Sequence, residues 1–311
     1  MAPAPDRLLR RLEWQLGRRL DGRLQGAYRT VWRGAGFDFT DLRTYTAEDD
    51  VRHIDWNVTA RLDEPFVRQY TEDRDLTAWL VVDRSASMRF GQADQGSSRQ
   101  NQRQGKESVA TELAVSLARL LAHGGNRIGA ILYDNQSHQV IPPRTGRDQL
   151  LRLAHELTRP QPGTSPNPTT GWGTTTDLAA MLSLAAAMTA RRRSLVFVLS
   201  DFIGDPGWDR ALGMLAHRHE VVVVRVVDPV ELELPDVGLI LVQDAETGEQ
   251  VLVDTSDPLL RRRLEAQVLD REELVEAGLR RAGVSAHRIT TDRDPLGVLI
   301  DLVRQSGRRR R

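Results

Sequence analysis

An apolar run over 76–82, broken only by Thr77, stops abruptly at Asp83. A run of that length bounded by a polar loop predicts a buried strand. The signature recurs at 127–133, 195–199 and 221–227. Segments of helical period stand between. Residues 107–123 place Val109, Leu113, Leu117 and Leu120 on one face; 148–157 and 208–217 are also predicted helical. Residues 176–190 are nearly apolar all round, which predicts a buried helix. The strand at 137–141 is expected to pair with 127–133 as a hairpin. Past Pro235 the pattern changes: 238–243 and 249–254, joined by Ala245-Glu246-Thr247-Gly248, predict a second hairpin. A long charged helix over 259–282, a strand at 286–290 and a helix at 295–305 follow. Buried strands alternating with helices predict an α/β fold: a doubly wound, mainly parallel sheet with helices on both faces.

The first 75 residues do not follow this rhythm and are expected to form an N-terminal extension. Leu8, Leu12, Leu16 and Leu20 recur every four positions among arginines, which predicts a helix over 6–20. A basic amphipathic helix can lie on an anionic membrane. Here the stripe is narrow, with Trp14 its one aromatic, which favours packing on the main domain. Residues 34–75 are dense in charges and aromatics with no clean period. Asp49, Asp50, Arg52 and Asp55 are expected to form an ion-pair network covered by Trp56, a device that specifies structure more than it stabilises it. Residues 66–70 alternate like a short strand. The stretches 89–105, polar, and 160–173, rich in Pro and Gly, predict loops. The expected organisation is thus an extension over 1–75, a main domain over 76–305 carrying the 238–254 hairpin, and a basic tail over 306–311.

Composition narrows the chemistry. Of 311 residues, 40% are hydrophobic and 28% charged, which suits a packed core. The 43 basic and 43 acidic residues cancel, which argues against general nucleic-acid binding. With no cysteine, disulfides, zinc-thiolate sites and thiol catalysis are excluded. Lys106 is the only lysine among many arginines, which reads as compositional bias. No apolar run is long enough to cross a bilayer, and no signal core is recognisable, so a cytoplasmic protein without stable membrane insertion is expected.

Three segments carry candidate chemistry: Asp83-x-Ser85-x-Ser87, Gly173-Thr174-Thr175-Thr176-Asp177 and Ser200-Asp201. Taken alone, Asp-x-Ser-x-Ser suits a strand-end turn or a helix cap. In a parallel sheet, however, the strands ending at Val82 and Leu199 point to one edge. If they are neighbours, Asp83 and Asp201 face each other across the crevice where such sheets bind ligands. Five hard oxygen donors from three loops, completed by water, suit Mg²⁺. A phosphotransferase using Asp83 as nucleophile would need a second acid at position +2, where Ser85 stands. Gly105-Lys106-Glu107-Ser108 lacks the glycine spacing of a phosphate-binding loop. His217-Arg218-His219 reads as a helix end, where a histidine suits the C-terminus.

The three segments together resemble the metal-ion-dependent adhesion site of von Willebrand factor type A (vWA) domains. The resemblance implies that Asp83, Ser85 and Ser87 are first-loop ligands and Asp201 the third-loop acid. Thr176 best matches the threonine ligand, with Thr174 as fallback. The wider sequence, from about residue 34 to 301, resembles the bacterial DUF58 family. The carriers are Gly36-Phe37-Asp38-Phe39, Leu42-Arg43-Thr44-Tyr45, Asp49-Asp50-Val51-Arg52-His53-Ile54-Asp55-Trp56, Ser200-Asp201-Phe202, Asp228-Pro229 with Glu231 and Leu234-Pro235, and Asp244-Ala245-Glu246-Thr247-Gly248. Glu48 stands where the family leads one to expect glycine, and 89–105 looks like an insertion. The resemblance implies a metal-dependent protein-binding adaptor or chaperone-like factor with no chemistry of its own. Its ion would be Mg²⁺, or Mn²⁺ or Ca²⁺. Its partner would offer an Asp or Glu to that ion, and a MoxR-type AAA+ ATPase is the implied co-worker. The alternatives are a Mg²⁺-dependent phosphotransfer or hydrolytic enzyme, and a structural interaction module with a vestigial metal site. In the latter, residues 34–56 would carry the interface through aromatics beside arginines.

Overall fold

The computed structural model describes residues 38–46, 54–62, 64–71, 76–89, 105–134, 137–159, 176–190, 192–233, 236–243, 250–295 and 297. The chain divides into two compact units, one of them Trp32–Leu76. In that unit β1 (Asp38–Thr44) pairs antiparallel with β2 (Phe66–Thr71), and α1 (Trp56–Leu62) lies between them in sequence. Asp55 starts α1. Its carboxylate accepts the Val58 N–H at 3.3 Å, while its own N–H donates to the Phe66 carbonyl at 2.8 Å. Thr59 Oγ1 accepts the Phe66 N–H at 3.1 Å. Asp55 caps the helix, and the expected cover by Trp56 is corrected, since that residue is 68% exposed. Asp49, Asp50 and Arg52 lie outside the described residues, as do the predicted helix at 6–20, positions 90–104, the 160–173 loop and the basic tail. Of the predicted 295–305 helix, only residues 295 and 297 are described.

The larger unit follows the predicted alternation. Its elements are β3 (Thr77–Asp83), a 3₁₀ turn (Ser87–Arg89), α2 (Lys106–His123), β4 (Arg127–Asp134), β5 (Ser137–Arg144), α3 (Arg147–Thr158), α4 (Leu178–Thr189), β6 (Leu195–Ser200), α5 (Trp208–Arg218), β7 (Glu220–Val227), α6 (Pro229–Leu232), β8 (Leu239–Gln243), β9 (Gln250–Asp254), α7 (Pro258–Arg281) and β10 (Ala286–Thr290). Six strands form one sheet in the order β10-β7-β6-β3-β4-β5, and β8 and β9 pair as the predicted separate hairpin. All neighbours in the large sheet are parallel except β4 and β5. The short β4–β5 connection permits only a hairpin, because a parallel partner needs a long crossover. Pro142 and Pro143 sit on this edge strand, where a missing N–H breaks no ladder. The α/β class and the mainly parallel sheet are thus as the sequence predicts.

Alternation along β3 and β6 sets the core. Trp79, Val81, Val196 and Val198 join Met181, Leu182, Leu212 and Leu215 of α4 and α5 in one buried cluster. Leu80 and Val82 point the other way and are equally buried, on a sheet against which α2 packs. One expectation needs correction. α4 buries only one face, and its Met188 is 44% exposed. Its composition reflects many alanines, which are tolerated on a half-exposed face. α7 docks by its C-terminal part, where Val275, Gly278 and Leu279 are buried. A side chain at Gly278 would meet the Trp208 ring at 2.7 Å, so glycine there permits the close approach to α5.

Candidate functional site

The chain leaves β3 for β4 on one side and later returns with β6 on the other. The two neighbouring strand ends therefore form the switch point at which open α/β sheets bind ligands. Val82 pairs with Leu199, which brings Asp83 level with Ser200. The Ser200 hydroxyl donates to Asp83 Oδ2 at 2.6 Å, and the Ser85 N–H donates to Oδ1 at 2.9 Å. The Ser85 and Ser87 hydroxyls lie 3.1 Å apart. Arg84 anchors this loop from behind: its N–H bonds the Tyr133 carbonyl at 2.8 Å and its guanidinium the Glu107 carboxylate at 2.9 Å.

Asp201 follows β6 directly. Its Oδ1 accepts the Ile203 N–H at 2.9 Å, and its carbonyl accepts Arg225 Nε–H at 3.1 Å. Phe202 has φ 59°, a left-handed backbone that is uncommon for a bulky residue. That turn carries its ring against Trp208, edge to face with centroids 4.9 Å apart. The Phe202 N–H donates to Ser200 Oγ at 3.0 Å, so the hydroxyl that holds Asp83 also braces the turn.

Thr176 enters from the third loop. Its carbonyl accepts the N–H groups of Leu178 at 3.1 Å and Asp205 at 3.3 Å, which ties the start of α4 to the segment after Asp201. Asp177 caps α4 by accepting the Ala180 N–H at 2.8 Å. Gly173, Thr174 and Thr175 lie outside the described residues. Gly204 is the seam between the loops: a Cβ there would collide with the Thr176 carbonyl. Gly204→Ala should therefore push the Thr176 loop off the Asp201 loop and cost about 1–3 kcal/mol, as overpacking against backbone does. Thermal unfolding of the variant beside wild type checks this; an unchanged midpoint would disprove the tight seam.

A residue absent from the sequence-based set completes the geometry. Lys106, first residue of α2, has no exposed surface. Its Nζ donates to Asp201 Oδ2 at 2.7 Å and to Glu231 Oε1 at 2.6 Å. Glu231 belongs to α6, whose capping box joins it to Asp228. The Asp228 Oδ2 in turn accepts the Thr291 hydroxyl at 2.9 Å. The signal for Lys106 is its position. Residues 106, 110, 113 and 117 share the helix face that carries Leu113 and Leu117 into the core.

The site holds an excess of buried negative charge. Burial, and next the charge of Asp201, push Asp83 up to about 6 despite the stabilising bonds from Ser200 and Ser85. Burial also raises Glu231, against the pull of Lys106. Tyr133 is raised by burial, then by Asp177 and Asp83. Among the described residues no group of three or more His, Cys, Asp or Glu side chains is placed to hold a metal ion. An ion here would depend on the hydroxyls of Ser85 and Ser87 beside Asp83, on Asp201 after the neighbouring strand, and on Thr176, whose loop is tied to the Asp201 loop through its carbonyl. That donor set, all hard oxygen with surplus negative charge, fits a divalent cation of the Mg²⁺ type.

Comparison with known proteins adds the family context. The family described as "Protein of unknown function DUF58" matches residues 41–274. An uncharacterized protein of Mycobacterium tuberculosis is 38% identical over 304 residues, covering 97% of this chain and 89% of the relative. An uncharacterized protein of Mycobacterium avium is 34% identical over 168 residues, covering 54% of this chain and 94% of the relative. Among solved structures, the chain is similar to the conserved hypothetical protein BatB from Bacteroides thetaiotaomicron, at TM-score 0.46 and 14% identity, covering 75% of this chain and 99% of that one. It is also similar to the SpRpn10 VWA domain, at TM-score 0.36 and 12% identity, covering 74% and 94%.

Proposed function

This chain belongs to the DUF58 family, and we propose that it is a metal-dependent protein-binding adaptor or chaperone-like factor that works with a MoxR-type AAA+ ATPase. The observation that carries this reading is the meeting of Asp83, Ser85 and Ser87 with the Ser200-Asp201 loop at the sheet's switch point. Asp83, Ser85, Ser87, Thr176 and Asp201 would hold Mg²⁺, Mn²⁺ or Ca²⁺. Bound there, the ion supplies a Lewis-acid position for an Asp or Glu of the partner. The protein's own residues then do three things. Ser200 and the Ser85 N–H orient Asp83, the Ile203 N–H and Arg225 fix Asp201, and the Asp205 N–H holds Thr176 alongside.

Binding is favoured over phosphotransfer by the state of Asp83. It has no exposed surface, both its oxygens accept hydrogen bonds, and Ser85 stands where a phosphotransferase needs an acid. Among the described residues, no helix is long and apolar enough to cross a membrane. We place the protein in the cytoplasm as part of the same proposal.

The test compares wild type with Asp83→Ala. Calorimetry should show Mg²⁺ binding only for wild type, and a purified MoxR-type ATPase should be captured by wild type in Mg²⁺ but not in EDTA. Equal Mg²⁺ binding and capture by the two proteins would overturn the reading. Capture that persists in EDTA would establish the structural-module alternative. Mg²⁺-dependent phosphatase or ATPase turnover abolished by Asp83→Asn would establish the enzyme alternative.

A further inference from the structure

We infer that Lys106 is a built-in competitor of the divalent ion: its ammonium takes the cation's place on Asp201 until an ion displaces it, and Glu231 keeps hold of it afterwards. The inference rests on the reading of Asp201 as a metal ligand and extends it to two residues outside that ligand set.

The geometry is specific. The Lys106 ammonium is wholly buried and lies 2.7 Å from Asp201 Oδ2 and 2.6 Å from Glu231 Oε1. Burying an ammonium costs several kcal/mol unless it is paired. A cation at the first position of a helix also opposes the positive end of the helix dipole. Burial and position both disfavour lysine here, so packing alone gives no reason for it. The two carboxylates do. Three buried or nearly buried acids, Asp83, Asp201 and Glu231, meet at one sheet edge. Without this ammonium the Asp201 carboxylate would lose its bonded cation beside Asp83, and the more distant Arg225, held on the Asp201 carbonyl, would be left to offset the repulsion. The tethered ammonium supplies that offset, and a divalent ion reaching Asp201 Oδ2 would supply the same charge.

The two cations compete for one oxygen. Glu231 makes the exchange possible, because it retains the ammonium when Asp201 turns to the ion. It also carries the consequence outward. Glu231 sits in the capping box of α6, directly after β7, so loss of the Asp201 bond changes the pull on that segment. Ion loading is thereby coupled to the start of the segment that leads to β8, β9 and α7.

The experiment uses the full chain and exploits its single lysine. Isotope-labelled lysine gives one side-chain ammonium signal to follow by NMR as Mg²⁺ is added. Calorimetry with Mn²⁺ then compares wild type with the double variant Lys106→Met, Glu231→Gln. That variant removes one charge of each sign, so the net charge of the site is unchanged and only the competition is lost. It leaves one acid, Asp201, without its ammonium, where Lys106→Met alone would leave both Asp201 and Glu231 so. The expected result is a saturable shift of the ammonium signal and Mn²⁺ binding at least about tenfold tighter in the double variant. An unmoved signal at saturating ion, or equal affinities, would overturn the role of Lys106 while leaving the metal site intact. Absence of binding by both proteins would sink the metal reading and this inference together. An intact mass short by one water would mean a covalent amide between Lys106 and Asp201 and would also overturn exchange.

Discussion

Asp83→Asn is expected to unfold at a higher temperature than wild type when divalent ions are chelated, and to gain nothing when Mg²⁺ is added. The wild-type carboxyl titrates at about 6 in the folded protein against an ordinary value of 3.8, because burial and then Asp201 disfavour its charge. A raised acid makes the folded state the better proton binder. Its contribution is therefore fully present below pH 3.8 and is lost as pH rises through about 6. At neutral pH the ionised Asp83 costs on the order of 3 kcal/mol relative to a neutral group of the same shape. Asparagine is that group: its carbonyl can keep the Ser85 N–H, and the Ser200 hydroxyl can turn from donor to acceptor. The advantage of the variant should be widest near pH 7 and should close toward pH 4. Glu231 titrates in the same sense but is common to both proteins, so it cancels in the difference. On the proposed metal reading, added Mg²⁺ should reverse the order, since an ion that binds only the folded wild type stabilises it by mass action. Urea unfolding at two pH values, in EDTA and in Mg²⁺, reads all of this. A variant less stable than wild type in EDTA at pH 7 would show that Asp83 is stabilising as it stands.

The same residue shows what sequence reading reaches. Asp83, Ser85, Ser87 and Asp201 can be placed near one another because strand ends are visible as breaks in apolar runs, and parallel strands end at one edge. Thr176 is reached only through the family resemblance, with Thr174 as the fallback. Contact between groups far apart in the chain cannot be read in this way. Lys106 meets Asp201 across 95 positions and Glu231 across 125, and neither spacing carries a signal. Lys106 escapes for a further reason: the periodicity predicts a helix that begins at Glu107, so the first buried position falls outside it. Ser200 reads as part of a loop, yet the register of β3 on β6 makes it the hydroxyl that holds Asp83. Trp56 misleads in the opposite way. An aromatic among charges reads as a cover, but a residue at the first position of a short surface helix points into solvent.

Glu272→Ala is expected to cost about 3 kcal/mol, out of proportion to a partly exposed residue on a charged helix. Its carboxylate forms a two-pronged bond with Arg225, at 2.8 Å and 2.6 Å, and Arg288 lies 3.5 Å away. Arg225 sits on β7 with only 5% exposure. Removing its partner leaves a buried guanidinium short of charge compensation, and this, rather than the lost attraction, makes the single variant expensive. The double variant Arg225→Met, Glu272→Met should recover most of the loss, because two apolar side chains can replace a buried pair at little cost. Acidification gives an independent check. Burial alone would raise the Glu272 carboxyl, but the hydrogen bonds and charge of Arg225, with Arg288 and Arg271, hold it below its ordinary value. A lowered acid contributes stability above its unfolded value of 4.5 and loses it as pH falls through the folded value. The deficit of Glu272→Ala should thus shrink below pH 4.5. The pair also touches the site, since Arg225 Nε donates to the Asp201 carbonyl at 3.1 Å. A guanidinium released by Glu272→Ala no longer holds that carbonyl firmly, and Mg²⁺ affinity should fall with stability. If stability falls while Mg²⁺ affinity stays at the wild-type value, Arg225 holds α7 to the sheet without positioning Asp201.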